Sequence, residues 1–258
     1  MPHMPVLRVV PLEEVLRHEE VDPLRVARLR SRISEEGTQL NPMICTETPG
    51  GDLVLLDGAT RTEALKELNL DHAVVQIIEP EVVDLETWHH VIRQAPAVDV
   101  VASVSSRSEL RVSEDQGTPR LHIAEQGTRS VLGTGASVNA TLSALVASYI
   151  GRWTVSRVTE VSPDAIAWRF PDWSVVVEFP TLTVDDVIKA AVGQDLLPAG
   201  VTRFLVPERA LRLNVDLDLL GGAGTTEQKQ EALDTMLSAR ARAGRIRRYE
   251  ETIVIFDD

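Results

Sequence analysis

The chain has 258 residues, enough for one large domain or two small ones, and its 43% apolar and 25% charged residues are ordinary for a soluble globular protein. Its single cysteine, Cys45, excludes an internal disulfide and a multi-cysteine zinc site; no run approaches the ~18 apolar residues of a membrane span, and no basic start leads into an apolar run, so a cytoplasmic protein without a membrane partner is expected. The net charge of −13, from 26 Lys and Arg against 39 Asp and Glu, repels nucleic acid unless a local basic patch overrides it.

In chain order, residues 6–10 read as a strand. Asp22-Pro23 then opens a helix, with Asp22 as N-cap, Pro23 at the first helical position and Gly37 as its C-cap. Strands at 43–45 and 53–56 flank the turn Thr48-Pro49-Gly50-Gly51, and a helix burying Ala64, Leu65 and Leu68 follows Asp57-Gly58. Val74 to Ile78 is the next strand, and Leu85 to Arg93 has helix-like spacing.

From Ala97 to about Thr134 the pattern is short strands and turns. A helix is expected over Ala140–Ile150 and strands over 155–160 and 174–179. Val184–Val192 reads as a helix capped near Thr183, and Thr202–Val206 and Ala210–Asn214 as a strand pair. A long helix over 225–242 and a closing strand over 252–256 complete the chain. The mixture lacks regular βα alternation, so the expected class is α+β, with a boundary near residue 95 dividing residues 1–95 from 96–258.

Two basic clusters stand out: Arg25, Arg28, Arg30 and Arg32 on the first helix, and Arg240 to Arg248. Neither is interleaved with aromatics, so both read as solvated helix faces, and a nucleic-acid partner is not expected.

The strongest chemical signal is a strand running into Asp57-Gly58-Ala59-Thr60-Arg61 and then a helix. Gly58 permits a sharp turn and close approach of a ligand. The amides of Ala59, Thr60 and Arg61 start the helix without acceptors and, with the helix dipole, attract an anion. Arg61 adds a planar fork for phosphate oxygens. Asp57 would repel a bare phosphate and suits a magnesium ligand or a proton acceptor. A capped turn with an exposed arginine is the competing reading.

The segment Leu55-Leu56-Asp57-Gly58-Ala59-Thr60-Arg61-Thr62-Glu63-Ala64-Leu65 resembles the signature of the ParB/sulfiredoxin-like superfamily, a strand, (D/G)-G-x-H-R and a helix. His18-Glu19 with Pro23-Leu24-Arg25, then Thr87-Trp88-His89, Val146-Ala147-Ser148-Tyr149 before Gly151, and Pro198-Ala199-Gly200-Val201-Thr202-Arg203-Phe204 are similar, in the same order, to segments of the free L-serine kinase branch, including the type encoded with siderophore biosynthesis. Thr60 departs from the pattern, standing where the family has a charged histidine.

The resemblance implies a ParB/sulfiredoxin-like nucleotide-binding domain over 1–95 and an α+β half over 96–258 that packs against it and contributes to a serine pocket. The implied activity transfers the terminal phosphate of ATP or ADP, with Mg2+, to the hydroxyl of L-serine. Glu19 takes the place of the family's catalytic glutamate as general base, with Glu20 beside it as competitor. Asp57 would be catalytic or hold Mg2+. Gly58, Ala59, Thr60, Arg61 and His18 would contact the nucleotide phosphates. Trp88, His89, Thr202 and Arg203 would bind the amino acid, Arg203 through paired hydrogen bonds to its carboxylate.

Three other functions compete. A ParB-like DNA-binding regulator would need a helical block after the loop domain, where short strands are expected. Sulfiredoxin-type repair needs a loop thiolate, and Cys45 lies upstream in a strand. A non-catalytic nucleotide or amino-acid sensor would fit Thr60.

Overall fold

The apolar run Leu53-Val54-Leu55-Leu56 is buried on both sides, as the centre of a covered sheet requires. In a computed structural model, which describes residues 4–135 and 137–249, this run is β5 of a five-stranded mixed sheet. In chain order the first part comprises β1 (Val6–Pro11), β2 (Val15–Arg17), α1 (Pro23–Glu36), β3 (Thr38–Gln39), β4 (Met43–Glu47), β5 (Leu53–Asp57), α2 (Ala59–Glu67) and β6 (His72–Ile77). The sheet order is β1-β6-β4-β5-β2. Side chains alternate across it. Met43, Cys45, Leu53, Leu55, Ala73 and Val75 pack with Val26 and Ile33 of α1 and Ala64 and Leu65 of α2. Ile44, Val54 and Leu56 point the other way.

The second part begins with β7 (Asp84–Thr87) and β8 (His89–Arg93). It continues through α3 (Ala97–Ser105), β9 (Leu110–Ser113), β10 (Arg120–Ile123), β11 (Gly127–Gly133), α4 (Val138–Tyr149), β12 (Thr154–Val158), α5 (Pro163–Arg169), β13 (Trp173–Glu178) and α6 (Val184–Val192). Its six-stranded antiparallel sheet runs β12-β8-β13-β10-β11-β9. Ile92, Leu121, Val131, Val175 and Val177 of that sheet share one core with Leu142, Leu145 and Tyr149 of α4 and Val187 and Ala190 of α6, and this core reaches Ile44, Val54 and Leu56 of the first sheet. After β14 (Thr202–Leu205), the chain returns to the first sheet as β15 (Val215–Asp216), α7 (Leu217–Gly221) and α8 (Thr226–Arg242). There Val215, Leu220 and Leu233 cover Val9 and Val74.

The α+β class is as expected, and four local expectations are corrected. Leu85–Arg93 is two strands, not a helix: β7 pairs with β14, and β8 lies between β12 and β13. The valine-rich start of the 97–134 stretch is helix α3, which buries Val100, Ser103 and Val104. Ala210–Asn214 is not a strand. Arg212 and Asn214 adopt φ of 55° and 47°, and the segment hangs from Gln76 and Asn41 side chains through Ala210 N–H (2.8 Å) and Arg212 N–H (2.7 Å). Helix α5 was not anticipated, although Ser162-Pro163-Asp164 carries a start signal of N-terminal proline and first-turn acid. The expected strand at 252–256 lies outside the described residues. No described helix is long and apolar enough to cross a membrane.

Candidate active site

Parallel pairing of β2 with β5 sets the site. The register aligns Val15 with Leu53, Leu16 with Val54 and Arg17 with Leu55. The ladder ends at Arg17 and the chain bends at His18, and Glu19 then comes to border the same spaces as Asp57 at the end of β5. The Glu19 backbone is held on its other side by the 197 strand-like segment. Leu197 N–H donates to the His18 carbonyl (2.8 Å), and Glu20 N–H donates to the Leu197 carbonyl (2.8 Å).

Both carboxylates border an open cleft of about 700 Å3, floored by Gly58, Ala59, Thr60 and Arg61 and walled by Arg25, Arg28, Arg32, Trp88, Arg157, Gly200 and Thr202. A smaller recess of about 210 Å3 opens beside it, lined by Leu56, Trp88, Thr202, Arg203 and Phe204. Glu19 and Asp57 border both spaces.

The loop has the features of an anion cradle. Gly58 is left-handed (φ 115°), and a Cβ there would lie 3.1 Å from Met43 Cγ and 3.2 Å from Arg61 Nη1. The first intrahelical bond runs from Thr62 N–H to the Gly58 carbonyl (2.8 Å), leaving the amides of 59–61 without helix acceptors, and no side chain caps the end. Arg61 is fixed by donation to the Pro42 carbonyl (3.0 Å). Burial lowers its pKa and neighbouring Asp57 opposes that shift; a guanidinium stays charged regardless. Asp57 is paired with Arg209, which sequence reasoning missed because Pro207-Glu208-Arg209 reads only as a turn.

Cationic character extends beyond the loop. Arg25, Arg28 and Arg32, spaced along one face of α1, all reach the cleft, whereas Arg30 turns to Glu67 (3.1 Å). All four are solvent-exposed, as a solvated face requires, and three of them also border the cleft. Arg157, also missed, lies over Gly200, whose φ is 81° and whose missing Cβ would fall 1.9 Å from Arg157 Nη2. Burial, reinforced by Arg25, lowers the Arg157 pKa, while Glu19 opposes the shift. Five arginines thus line the cleft against four carboxylates, Glu19, Glu20, Asp22 and Asp57, a slight positive excess in a protein of net negative charge.

The remaining sequence candidates divide. Trp88 reaches the cleft, with the Arg203 guanidinium 4.7 Å from its ring centre. Arg203 borders the recess and pairs with Glu86 (2.6 Å). Thr202 borders both spaces. His18 does not border the cleft. It is 1% exposed, its Nδ1–H donates to the Leu55 carbonyl (2.7 Å), and Nε2 therefore accepts from the Thr202 hydroxyl (3.2 Å). Burial lowers its pKa, which keeps it neutral. His18 thus props Thr202 and the end of β5. His89 faces away from the cleft, accepting the Phe179 amide at Nδ1 (3.1 Å).

Among the described residues no cluster of three or more His, Cys, Asp or Glu could hold a metal by itself. Asp57 is compatible with the common arrangement in which Mg2+ is bound by one carboxylate and substrate phosphates.

No family model matches the chain. It is 25% identical over 225 residues to the ATP-dependent L-serine kinase SbnI of Staphylococcus aureus, an alignment spanning 86% of this chain and 87% of that protein. The structure of C-terminally truncated SbnI from S. aureus superimposes with a TM-score of 0.76, at 23% identity, covering 91% of this chain and 97% of that one. A free serine kinase in complex with AMP superimposes with a TM-score of 0.74, at 16% identity, covering 84% and 95%. The resemblance read from the sequence is borne out over most of the chain, and the fold is the one these kinases share.

Proposed function

We propose that the protein is an ATP-dependent free L-serine kinase acting in the cytoplasm. The observation that carries this reading is the placement of Glu19 and Asp57 at the junction of an arginine-rich cleft and a small recess. A nucleotide occupies the cleft with its terminal phosphates on the amides of 59–61 and Arg61, flanked by Arg25, Arg28, Arg32 and Arg157. Serine occupies the recess against Trp88 and Thr202, with Arg203 donors for its carboxylate. ATP is the donor, in keeping with the name of the curated relative.

The reaction forms a bond from the serine Oγ to the γ-phosphorus and breaks the bond from that phosphorus to the β,γ-bridging oxygen, releasing ADP. The hydroxyl proton passes to Glu19. Phosphoryl transfer depends mainly on positioning and charge stabilisation, which the amides and guanidinium groups supply. When bound, Mg2+ held by Asp57 and the phosphates would neutralise part of the phosphate charge. Thr60 contributes a neutral hydroxyl where the family has a cation, and the α1 arginines compensate that loss. His18 acts from behind Thr202 rather than on phosphate.

Incubation with L-serine, Mg2+ and γ-labelled ATP tests the proposal. Labelled O-phosphoserine formed in step with ADP supports it. Nucleotide binding with no phosphoserine would instead favour a sensor, and salt-sensitive retention of duplex DNA without turnover would favour the regulator.

A further inference from the structure

Behind Glu19 runs a buried polar chain for which the proposed chemistry gives no account. Gly200 N–H donates to Glu19 Oε2 (3.1 Å), and the Gly200 carbonyl lies 3.1 Å from His90 Nε2. His90 Nδ1 is 2.7 Å from the Tyr149 hydroxyl. A carbonyl only accepts, so His90 Nε2 carries the hydrogen and Nδ1 accepts from Tyr149. His90 is 1% exposed and Tyr149 0%, within an otherwise apolar core of Phe179, Leu145 and Ile92. The His90 ring also sits edge-on to Phe179, with centroids 5.0 Å apart. Leaving either polar group unpaired at that depth would be costly, so the pair strongly constrains the peptide it holds.

We infer that His90 and Tyr149 are positioning residues that fix the Glu19 carboxylate through Gly200, and so set the rate of the transfer step. This rests on Glu19 being the general base. Gly200 links the chain because it alone offers its carbonyl inward to His90 and its amide outward to Glu19, in a left-handed conformation with Arg157 packed where a side chain would stand. Burial depresses the His90 pKa to about 4, so the ring remains neutral near pH 7 and acts as a fixed donor rather than a proton carrier. A misplaced base costs rate while Arg61 and the loop amides, which are independent of the chain, still hold the nucleotide; of the cleft cations only Arg157, packed over Gly200, would shift with it.

The test is steady-state kinetics of His90→Phe, His90→Gln and Tyr149→Phe, alone and combined with Glu19→Gln. His90→Phe is expected to lower kcat by about 10- to 100-fold with the KM for ATP within about threefold. His90→Gln keeps an amide donor for the Gly200 carbonyl and is expected to recover most of the loss. In the Glu19→Gln background, His90→Phe should cost nothing further, since both act through one group. Tyr149→Phe removes a single oxygen and preserves packing, so it supplies the reading if His90→Phe fails to fold; it is expected to lower kcat in the same way. Wild-type kcat in Tyr149→Phe and a folded His90 variant, or losses that add to that of Glu19→Gln, would overturn the positioning role while leaving the kinase reading intact. Full turnover in Glu19→Gln alone would overturn the base assignment, and this inference with it.

Discussion

At the scale of residues, Gly58 and His90 show two different dependencies. Gly58 is required by backbone geometry and by crowding from Met43 and Arg61. Gly58→Ala is expected to destabilise the fold by about 1–2 kcal/mol and to weaken ATP binding, measured by chemical denaturation and calorimetric titration. Retained stability and affinity would contradict the cradle. His90 is a pH dependency. Its pKa is about 4 in the folded protein and about 6.5 when unfolded. Because the folded value is the depressed one, the neutral buried ring contributes full stability above the unfolded value, and that contribution falls as pH drops through the folded one. The loss reaches about 3 kcal/mol near pH 4. Urea denaturation across that window should show it in the wild type, and the wild type should lose more stability than His90→Phe.

Residue roles were unevenly legible. Gly58 and Arg61 could be singled out because they sit in a short segment with its own chemical logic, and Trp88 because its segment resembles the kinases; all three line the cleft. Arg157 and Arg209 could not, since nothing local distinguishes an arginine in a strand or turn that meets a distant loop only in the folded state. His18 and His89 were read as ligand contacts because their segments resemble those of the free L-serine kinases. In extended backbone, adjacent side chains point to opposite sides, and Glu19 and Trp88 take the cleft side.

At the scale of elements, two arrangements carry the site: the parallel β2–β5 pair and the arginine face of α1. A continuous apolar run and the Asp57-Gly58 break made β5 readable, whereas the three-residue β2 has too little pattern to recognise. The pairing that sets β2 beside β5, just ahead of Glu19, was therefore invisible from local signals. Likewise α3 and the β7–β8 pair were misread because burial against α4 and between β12 and β13 overrode local spacing and β-propensity. The α1 face gives a directional prediction. Arg28→Glu should weaken ATP by at least about tenfold, with the difference shrinking at high salt. Arg30→Ala, on the face that pairs with Glu67, should leave ATP affinity unchanged. Equal effects at both positions, read by titration with ATP, would mean that the helix does not address the nucleotide.

At the scale of the molecule, the cleft lies where the two sheets' structures meet. Glu19 and residues 57–61 come from the first part, while Trp88, Arg157, Gly200 and Thr202 come from the second. The shared core at Ile44, Val54 and Leu56 keeps these groups in register. Ligand binding should therefore stabilise the whole assembly. At about 100 times Kd, a non-hydrolysable ATP analogue should add about 2.7 kcal/mol, and Arg61→Ala at the same concentration should lose most of that gain. An unchanged gain in Arg61→Ala would place the phosphates elsewhere.

The central claim concerns which carboxylate faces the acceptor oxygen while the loop amides hold the phosphates. A crystal structure with L-serine and a non-hydrolysable ATP analogue reads this directly. The account predicts the serine hydroxyl within about 3 Å of Glu19 and in line with a γ-phosphate seated on the amides of 59–61. A hydroxyl facing Glu20, or phosphates bound away from that helix start, would contradict it.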